Sequence, residues 1–560
     1  MRQPPRPAET PLLRRRPWLL AACVLPPVAE TSLVWGLGVP GDRAIALQAS
    51  APSPWGQFHD LRWLLVFNDS WLTVALGAVG LVCARSLLDT FVVRQLRPGG
   101  RPFLRDALRE AAFTSTMLIL LLPWAVMGFG VGVVPISWLF FTSVPPVFAI
   151  ALASGHGSAT PEWWHRAPPR GAVLWTAATF GAASLAGLAT ESAPSWAWVP
   201  IAAAVGLFYA RAWRGVVSAV ALPRRRPRWV PLAPAVGVGM LAVAVSGAAI
   251  AFAVVGSRRP PPPQAAPPSP LRRGTTAVLV ASGFDSVLSA ATSTPTFGLG
   301  AGFGVVRFSY RGAGAGGQPL DYGAAATHAS LRHLARLMAA QVGSLYRRTG
   351  RPVDVVAESE GALVARVFLA AYPHAPVARV VLLSPLDQPG RVYYPPGAGQ
   401  GFGLATGQVL EGVTDLLAGI SPIHLRADSP FLRSVVSEAA GLRGLLSCPT
   451  RPAEDLLEPL ADALADPAAP GSAVPALVLA AFHGGLLTNP QAQRDVGLLL
   501  RGRRVPPDGA LDAAETVLRG AAAGWQAPTL PLALYTASPD HPSCAAMTAA
   551  VRRWVAAPAV

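Results

Sequence analysis

Residues 351–373 read RPVDVVAESEGALVARVFLAAYP, and this stretch decides the fold. The apolar run VDVVA predicts a buried strand, Glu358-Ser359-Glu360-Gly361 a sharp turn, and ALVARVFLAAY an amphipathic helix. A serine at such a turn is lifted above the sheet, with its hydroxyl at the positive end of the helix. Strand and helix pack this closely only if the residues two before and two after the serine are small; here they are Ala357 and Gly361. Taken alone, these residues fit an ordinary strand–helix turn with a capping serine as well as they fit a nucleophile elbow. The flanking sequence has to separate the two.

Working outward, TTAVLVASGF (275–284), FGVVRFSYRGAG (303–314) and VARVVLLSPL (377–386) read as further buried strands, the first two running into Gly-bearing loops. Between the second of these and VDVVA lies HASLRHLARLMAAQVGSLYRRTG (328–350), an amphipathic helix with a glycine stop. Strands alternating with helices predict a mostly parallel sheet of α/β type, and such sheets bind ligands beyond the carboxyl ends of their strands. Ser359 falls at one of those ends.

The amino-terminal half is different. Hydrophobic residues make up 52% of the 560-residue chain and charged residues only 14%, too apolar for one soluble domain. Apolar segments at 17–38, 71–93, 112–131, 134–153, 172–190, 197–217 and 231–256 predict a membrane α-helical bundle of about seven spans. The net charge is +16 and every basic residue is arginine, a bias that with the Ala, Gly and Pro content suggests a GC-rich bacterial genome. The arginines crowd the tail and the 94–110 and 211–229 loops. That distribution marks the cytoplasmic side of a membrane protein rather than a nucleic-acid surface. An odd number of spans then places the carboxyl-terminal domain outside the cytoplasm. Arg85 and Asp89, four apart in the second span, are expected to pair near its cytoplasmic end. The run SRRPPPPQAAPPSPLRRG (257–274) is a semi-rigid polyproline spacer, so the domains are 1–256, the linker 257–274, and 275–560. Cys448 and Cys544 pair as a disulfide if their domain lies in an oxidising compartment, and otherwise are two buried thiols. No His/Cys spacing suggests a metal, and no organic cofactor is expected.

With these pieces in order, residues 275–500 resemble the α/β-hydrolase superfamily, in particular bacterial lipases and esterases. The resemblance is carried by AVLVASGFDS, VVRFSYRGAGAGG, the 349–372 elbow region, VARVVLLSPLDQPG, SPIHLRADSPFLRSV, RPAEDLLEPLADAL and AAFHGGLLTNPQAQRDVGLLL. It implies Ser359 as nucleophile, His483 as its base and Asp455 as the acid that orients the histidine. The oxyanion donors would be the backbone N–H groups of Glu360 and Phe284. His541 is the alternative base and Asp387 the alternative acid. The chain departs from the family where Glu358 and Ser282 replace histidines and where Glu360 follows the serine. The two carboxylates are expected to pair with arginines such as Arg307 or Arg311. Residues 397–447 would form part of a cap.

The expectation is therefore a membrane-tethered serine hydrolase acting through an acyl-enzyme on lipid or other apolar esters, with the bilayer as partner. The rivals are an acyltransferase on the same scaffold and a catalytically inactive domain that binds a lipid or protein partner. A third class, a transporter with an accessory domain, would depend on Arg85 and Asp89.

Overall fold

The structure, a computed structural model, describes residues 17–37, 42–97, 101–130, 169–221, 270–385, 403–417, 450–460, 476–481, 483–526 and 544–557, with isolated positions at 430, 431, 434, 448, 462 and 528. The amino-terminal half is helical: α1 Pro17–Gly36, α2 Trp55–Val66, α3 Trp71–Leu96, α4 Phe103–Gly130, α5 Arg170–Ser192 and α6 Trp198–Ala221. Helices α1, α3 and α5 are long and apolar enough to cross a membrane. Helices α4 and α6 cover the expected spans 112–131 and 197–217, apart from the final residue of the first and the first residue of the second, whereas 134–153 and 231–256 lie outside the described residues. Ser70 starts α3 with a reciprocal capping box, its hydroxyl accepting from Thr73 N–H at 3.2 Å and Thr73 Oγ1 accepting from Ser70 N–H at 3.2 Å.

The segment between α1 and α3, which joins the first two expected spans, folds back into the bundle. Residues 42–66 are almost wholly buried. Their polar groups are met from several helices: Ser50 Oγ donates to Cys23 O at 2.5 Å, Trp55 Nε1 to Thr176 O at 2.9 Å, and Arg85 to Ala49 O at 2.9 Å. Trp213 Nε1 reaches Ser50 O at 3.1 Å. The aromatic content of the segment supplies the burial, and these side-chain bonds satisfy a backbone that is only partly helical.

The second half is an α/β domain. Strands β1 Thr276–Ala281, β2 Phe303–Arg307, β3 Val353–Glu358, β4 Val377–Leu383, β5 Glu454–Pro459 and β6 Ala476–Leu479 form one parallel sheet in the order β2-β1-β3-β4-β5-β6. Helices α7 Leu331–Thr349, α8 Glu360–Ala371, α9 Leu404–Leu417, α10 Pro490–Leu500, α11 Gly509–Ala523 and α12 Cys544–Ala556 accompany it. Helix α7 opens on Ser330, whose hydroxyl accepts from His333 N–H, and closes on Gly350 at φ +71°, a conformation that favours glycine. The chain leaves β1 toward β2 on one side and reaches β3 on the other, so the sheet has its topological switch point between β1 and β3.

Most of the proline-rich spacer lies outside the described residues, and the α/β domain contacts the bundle directly. Thr406 Oγ1 on α9 donates to Leu65 O at 2.9 Å, and Gly403 N–H to Asn68 O at 3.2 Å. Past α11, Trp525 is fully buried among Trp55, Phe58 and Phe180 and donates to Ser184 Oγ at 2.8 Å. Gln48 and Arg62 both donate to Gly524 O at 2.6 Å. A tryptophan buried this completely contributes substantially to the contact. A Cys448–Cys544 disulfide ties the chain before β5 to α12, which packs on α7 and α8.

Candidate active site

Ser359 sits between β3 and α8 at φ +54° and ψ −118°, a left-handed conformation held by its N–H bond to Leu383 O at 2.9 Å. Such a backbone costs roughly 1–3 kcal/mol and persists only where the surroundings enforce it. The surroundings are close: a Cβ on Gly361 would come within 2.8 Å of Ser282 O and 2.9 Å of Ala281 Cβ. Glycine there lets α8 pack against the end of β1.

His483 follows β6 and meets the serine, with Ser359 Oγ 2.8 Å from His483 Nε2. The other ring nitrogen, Nδ1, lies 2.7 Å from Asp462 Oδ2. If Asp462 is ionised, Nδ1 carries the proton and donates to the carboxylate, leaving Nε2 to accept from the serine hydroxyl. Burial pulls the imidazole toward its neutral form. The charge and hydrogen bond of Asp462, together with the charge of Glu358, outweigh this and raise its pKa above the ordinary 6.5.

Asp455, the acid expected from the sequence, is not at this site. The run EDLLEP is a strand, and Asp455 is its second residue, opposite Val381 in the register. The sheet edge where Ser359 stands is level with Leu383 and Leu457, so Asp455 is roughly 7 Å below it at ~3.3 Å per residue. Asp462, three residues past β5, reaches the edge. The sequence carried one usable signal: in a parallel sheet the ligand-facing acid belongs beyond the strand end. The alternatives Asp387 and His541 lie outside the described residues.

The loop after β1 packs over the serine. A Cβ on Gly283 would lie 3.0 Å from Ser359 Cβ. Ser282 anchors this loop, its hydroxyl accepting from Arg307 Nη2 at 2.6 Å and its carbonyl from Tyr310 Oη–H at 2.5 Å. The Phe284 ring stacks on His328 with centroids 4.5 Å apart, and His328 Nε2 lies 2.6 Å from Asp285 Oδ1. Gly283, next to Phe284 in the chain, thus lies against the serine, and Glu360 follows Ser359 as the first residue of α8.

The two carboxyl groups flanking the serine do not pair with arginines as expected. Arg307 turns to Ser282, and Arg311 donates to Asp321 O at 3.0 Å. Glu358 Oε1 instead accepts from Leu486 N–H at 2.8 Å and Leu487 N–H at 3.2 Å, fixing the loop that carries His483. Glu360 is fully buried and neither of its carboxyl oxygens has a hydrogen-bond partner. Burial, with a smaller push from the Asp285 charge, drives its carboxyl well above the usual range and so favours the protonated form. The described residues contain no cluster of three or more His, Cys, Asp or Glu side chains able to hold a metal.

The chain thus joins an amino-terminal helical domain, with three helices of membrane-crossing length and apolarity, to an α/β domain whose six-stranded parallel sheet carries a Ser–His–Asp cluster at its carboxyl edge. Comparison with known protein families, curated proteins and solved structures returns no match.

Proposed function

We propose that this protein is a membrane-anchored serine hydrolase that cleaves lipid or other apolar esters through an acyl-enzyme. One observation carries the reading: Ser359, His483 and Asp462 form a continuous hydrogen-bonded chain on the loops after β3, β6 and β5. In that chain Ser359 Oγ attacks the ester carbonyl as His483 Nε2 takes its proton. Backbone N–H groups of Glu360 and Phe284 receive the oxyanion. His483 then gives the proton to the departing alcohol, and water, activated by the same imidazole, releases the acid. An alcohol in place of water would make the enzyme an acyltransferase.

The bilayer supplies the argument for an apolar substrate, because α9 and Trp525 hold the α/β domain against the helical bundle. Two observations support an extracytoplasmic position for the α/β domain. The Cys448–Cys544 disulfide suits an oxidising compartment, and the segment 42–68, whose Arg43 and Arg62 are balanced by Asp42 and Asp60, packs on α9.

The test is labelling of the purified full-length protein by a fluorophosphonate probe. Labelling of the wild type, abolished in Ser359→Ala, is expected. A folded wild type that does not label would sink the hydrolase reading and favour a non-catalytic binding domain.

A further inference from the structure

A second cluster of ionisable groups is buried in the helical domain, and the hydrolase reading makes no use of it. It runs as a file. Glu30 on α1 has its Oε1 2.8 Å from His59 Nε2, and His59 Nδ1 is 2.8 Å from Asp60 Oδ1 on the same helix, α2. Asp60 takes two bonds of 2.6 Å from the Nε and Nη2 of Arg85 on α3. Arg85 Nη1 then stands 3.9 Å from Asp89 Oδ1, too far for a hydrogen bond. Asp89 Oδ2 accepts from Gln57 Nε2 at 3.2 Å. Along the file the side chains go from one-fifth exposed at Glu30 to 2% at Asp89.

Two features single this file out from an ordinary buried ion pair. First, Asp89 Oδ1, Arg85 Nη1 and Gln57 Oε1 are buried with no hydrogen-bond partner, on residues at most 4% exposed. A buried carboxylate whose nearest cation is 3.9 Å away and gives one of its oxygens no hydrogen bond is costly, and one relief is to bind a proton. Second, both nitrogens of His59 face carboxyl oxygens. The Trp63 indole N–H lies between Glu30 and His59, 2.8 Å from Glu30 Oε1 and 3.1 Å from His59 Nε2, so the ring is either an imidazolium donating to both carboxyls or a neutral imidazole whose Nε2 accepts from Trp63. The neighbourhood is also short of positive charge. Around the file stand Asp42 beside α2, Arg62 on α2, Glu110 on α4, Cys23 on α1 and Tyr209 on α6. Within the file itself, Glu30, Asp60 and Asp89 face the single guanidinium of Arg85.

We propose that the helical domain contains a proton-binding site in which Asp89 is the acceptor and Arg85 the switch. In the state described, Arg85 pairs with Asp60, and Asp89 holds the proton. Moving Arg85 to Asp89 expels that proton and frees Asp60, which takes it up with His59 and passes it to the partly exposed Glu30. One proton moves one way as one guanidinium moves the other, so charge is conserved. Intramembrane ionisable residues that face a bundle interior are characteristic of such sites.

The test is pH-difference infrared spectroscopy on the full-length protein in detergent, reading the C=O stretch of a protonated carboxyl. The wild type is expected to lose such a band on going from acid to alkaline buffer. Asp89→Asn should lack it, while Glu110→Gln and Ser359→Ala keep it. The last variant separates this site from the hydrolase reading, since it abolishes probe labelling without touching the band. A band that persists in folded Asp89→Asn, or that disappears only in Glu110→Gln, overturns the proposal. If Asp89→Asn does not unfold cooperatively on heating, Asp89→Glu serves instead. It retains a carboxyl in a new position and must shift the band; an unshifted band is equally fatal.

Discussion

The sheet edge and the helical bundle both bury ionisable groups, and they treat them in opposite ways. At the sheet edge the groups around the serine are hydrogen-bonded in sequence: Ser359 has His483, His483 has Asp462, and Glu358 has two backbone N–H groups. In the bundle, Arg85 pairs closely with Asp60 and leaves Asp89 with an unpaired oxygen. Full pairing fixes geometry before a reaction begins, which is what attack on an ester requires. Incomplete pairing leaves two arrangements of similar energy, which is what a switch requires.

The largest effect that would sharpen this contrast concerns the acid. Asp462→Asn removes the carboxylate that orients His483, and the rate of fluorophosphonate labelling is expected to fall about 10⁴-fold. Asp455→Asn, in mid-strand, is expected to stay within about tenfold of wild type. Equal losses in the two variants would show that Asp462 is only a neighbour of the histidine. The wild-type rate should also depend on pH through His483. Asp462 and Glu358 raise its pKa, and the base must be neutral to accept the serine proton. Labelling should therefore rise with pH through a midpoint above about 6.5, and lose most of that dependence in Asp462→Asn.

Next in size is the disulfide. Cys448 and Cys544 are 96 residues apart, and closing a loop of that order typically stabilises a domain by about 2–4 kcal/mol. Cys544→Ser should lower the thermal midpoint of the α/β domain under oxidising conditions and remove its sensitivity to reductant. A wild type whose melting is indifferent to reductant would weaken the case for an extracytoplasmic domain.

Much of this arrangement was legible in the sequence. The VDVVA strand, the turn at Ser359 and the helix after it have the expected order, and HASLRHLARLMAAQVGSLYRRTG forms a helix with the expected glycine stop. Two things were not legible. Asp462 was hidden because ADALAD has helical periodicity, while the preceding EDLLEP, with acids at alternate ends, does not look like a strand buried in a parallel sheet. Its burial depends on partners far away: Glu454 pairs with Arg366 of α8 at 2.6 Å. The inward fold of residues 42–66 was missed for the same reason. Its polar residues match a surface loop until Cys23 O, Thr176 O and Gly524 O are seen to receive them. Local pattern reports what a segment could bury, and long-range partners decide what it does bury.

Glu358 supports the geometry of the histidine loop, so Glu358→Ala should cost the two bonds to Leu486 and Leu487. Hydrogen bonds to a charged acceptor contribute about 1.5–3 kcal/mol, equivalent to roughly a 10- to 100-fold loss in labelling rate. Glu358→Gln keeps an acceptor and should recover most of it. If alanine and glutamine behave alike, the charge rather than the bonds matters.

The smallest expected effect on rate is also the closest test of the contrast, because Glu360 is the exception at the sheet edge. Like Asp89, it is a buried carboxyl without a hydrogen-bond partner. Unlike Asp89, it has no arginine within ion-pair distance among the described residues, so nothing competes with its proton. Burial raises its pKa in the folded chain, whereas the unfolded chain releases the proton near pH 4.5. The folded state then binds more protons than the unfolded state above that pH. Glu360 therefore lowers stability as pH rises, with a slope approaching ~1.4 kcal/mol per pH unit until the folded group itself ionises. Glu360→Gln replaces the protonated acid with a neutral isostere. It should leave the labelling rate within about threefold and raise the melting midpoint at pH 7, with the gain vanishing toward pH 4. A rate increase of a hundredfold instead would mean that Glu360 is charged beside the oxyanion, and the sheet edge would then share the incomplete pairing of the bundle.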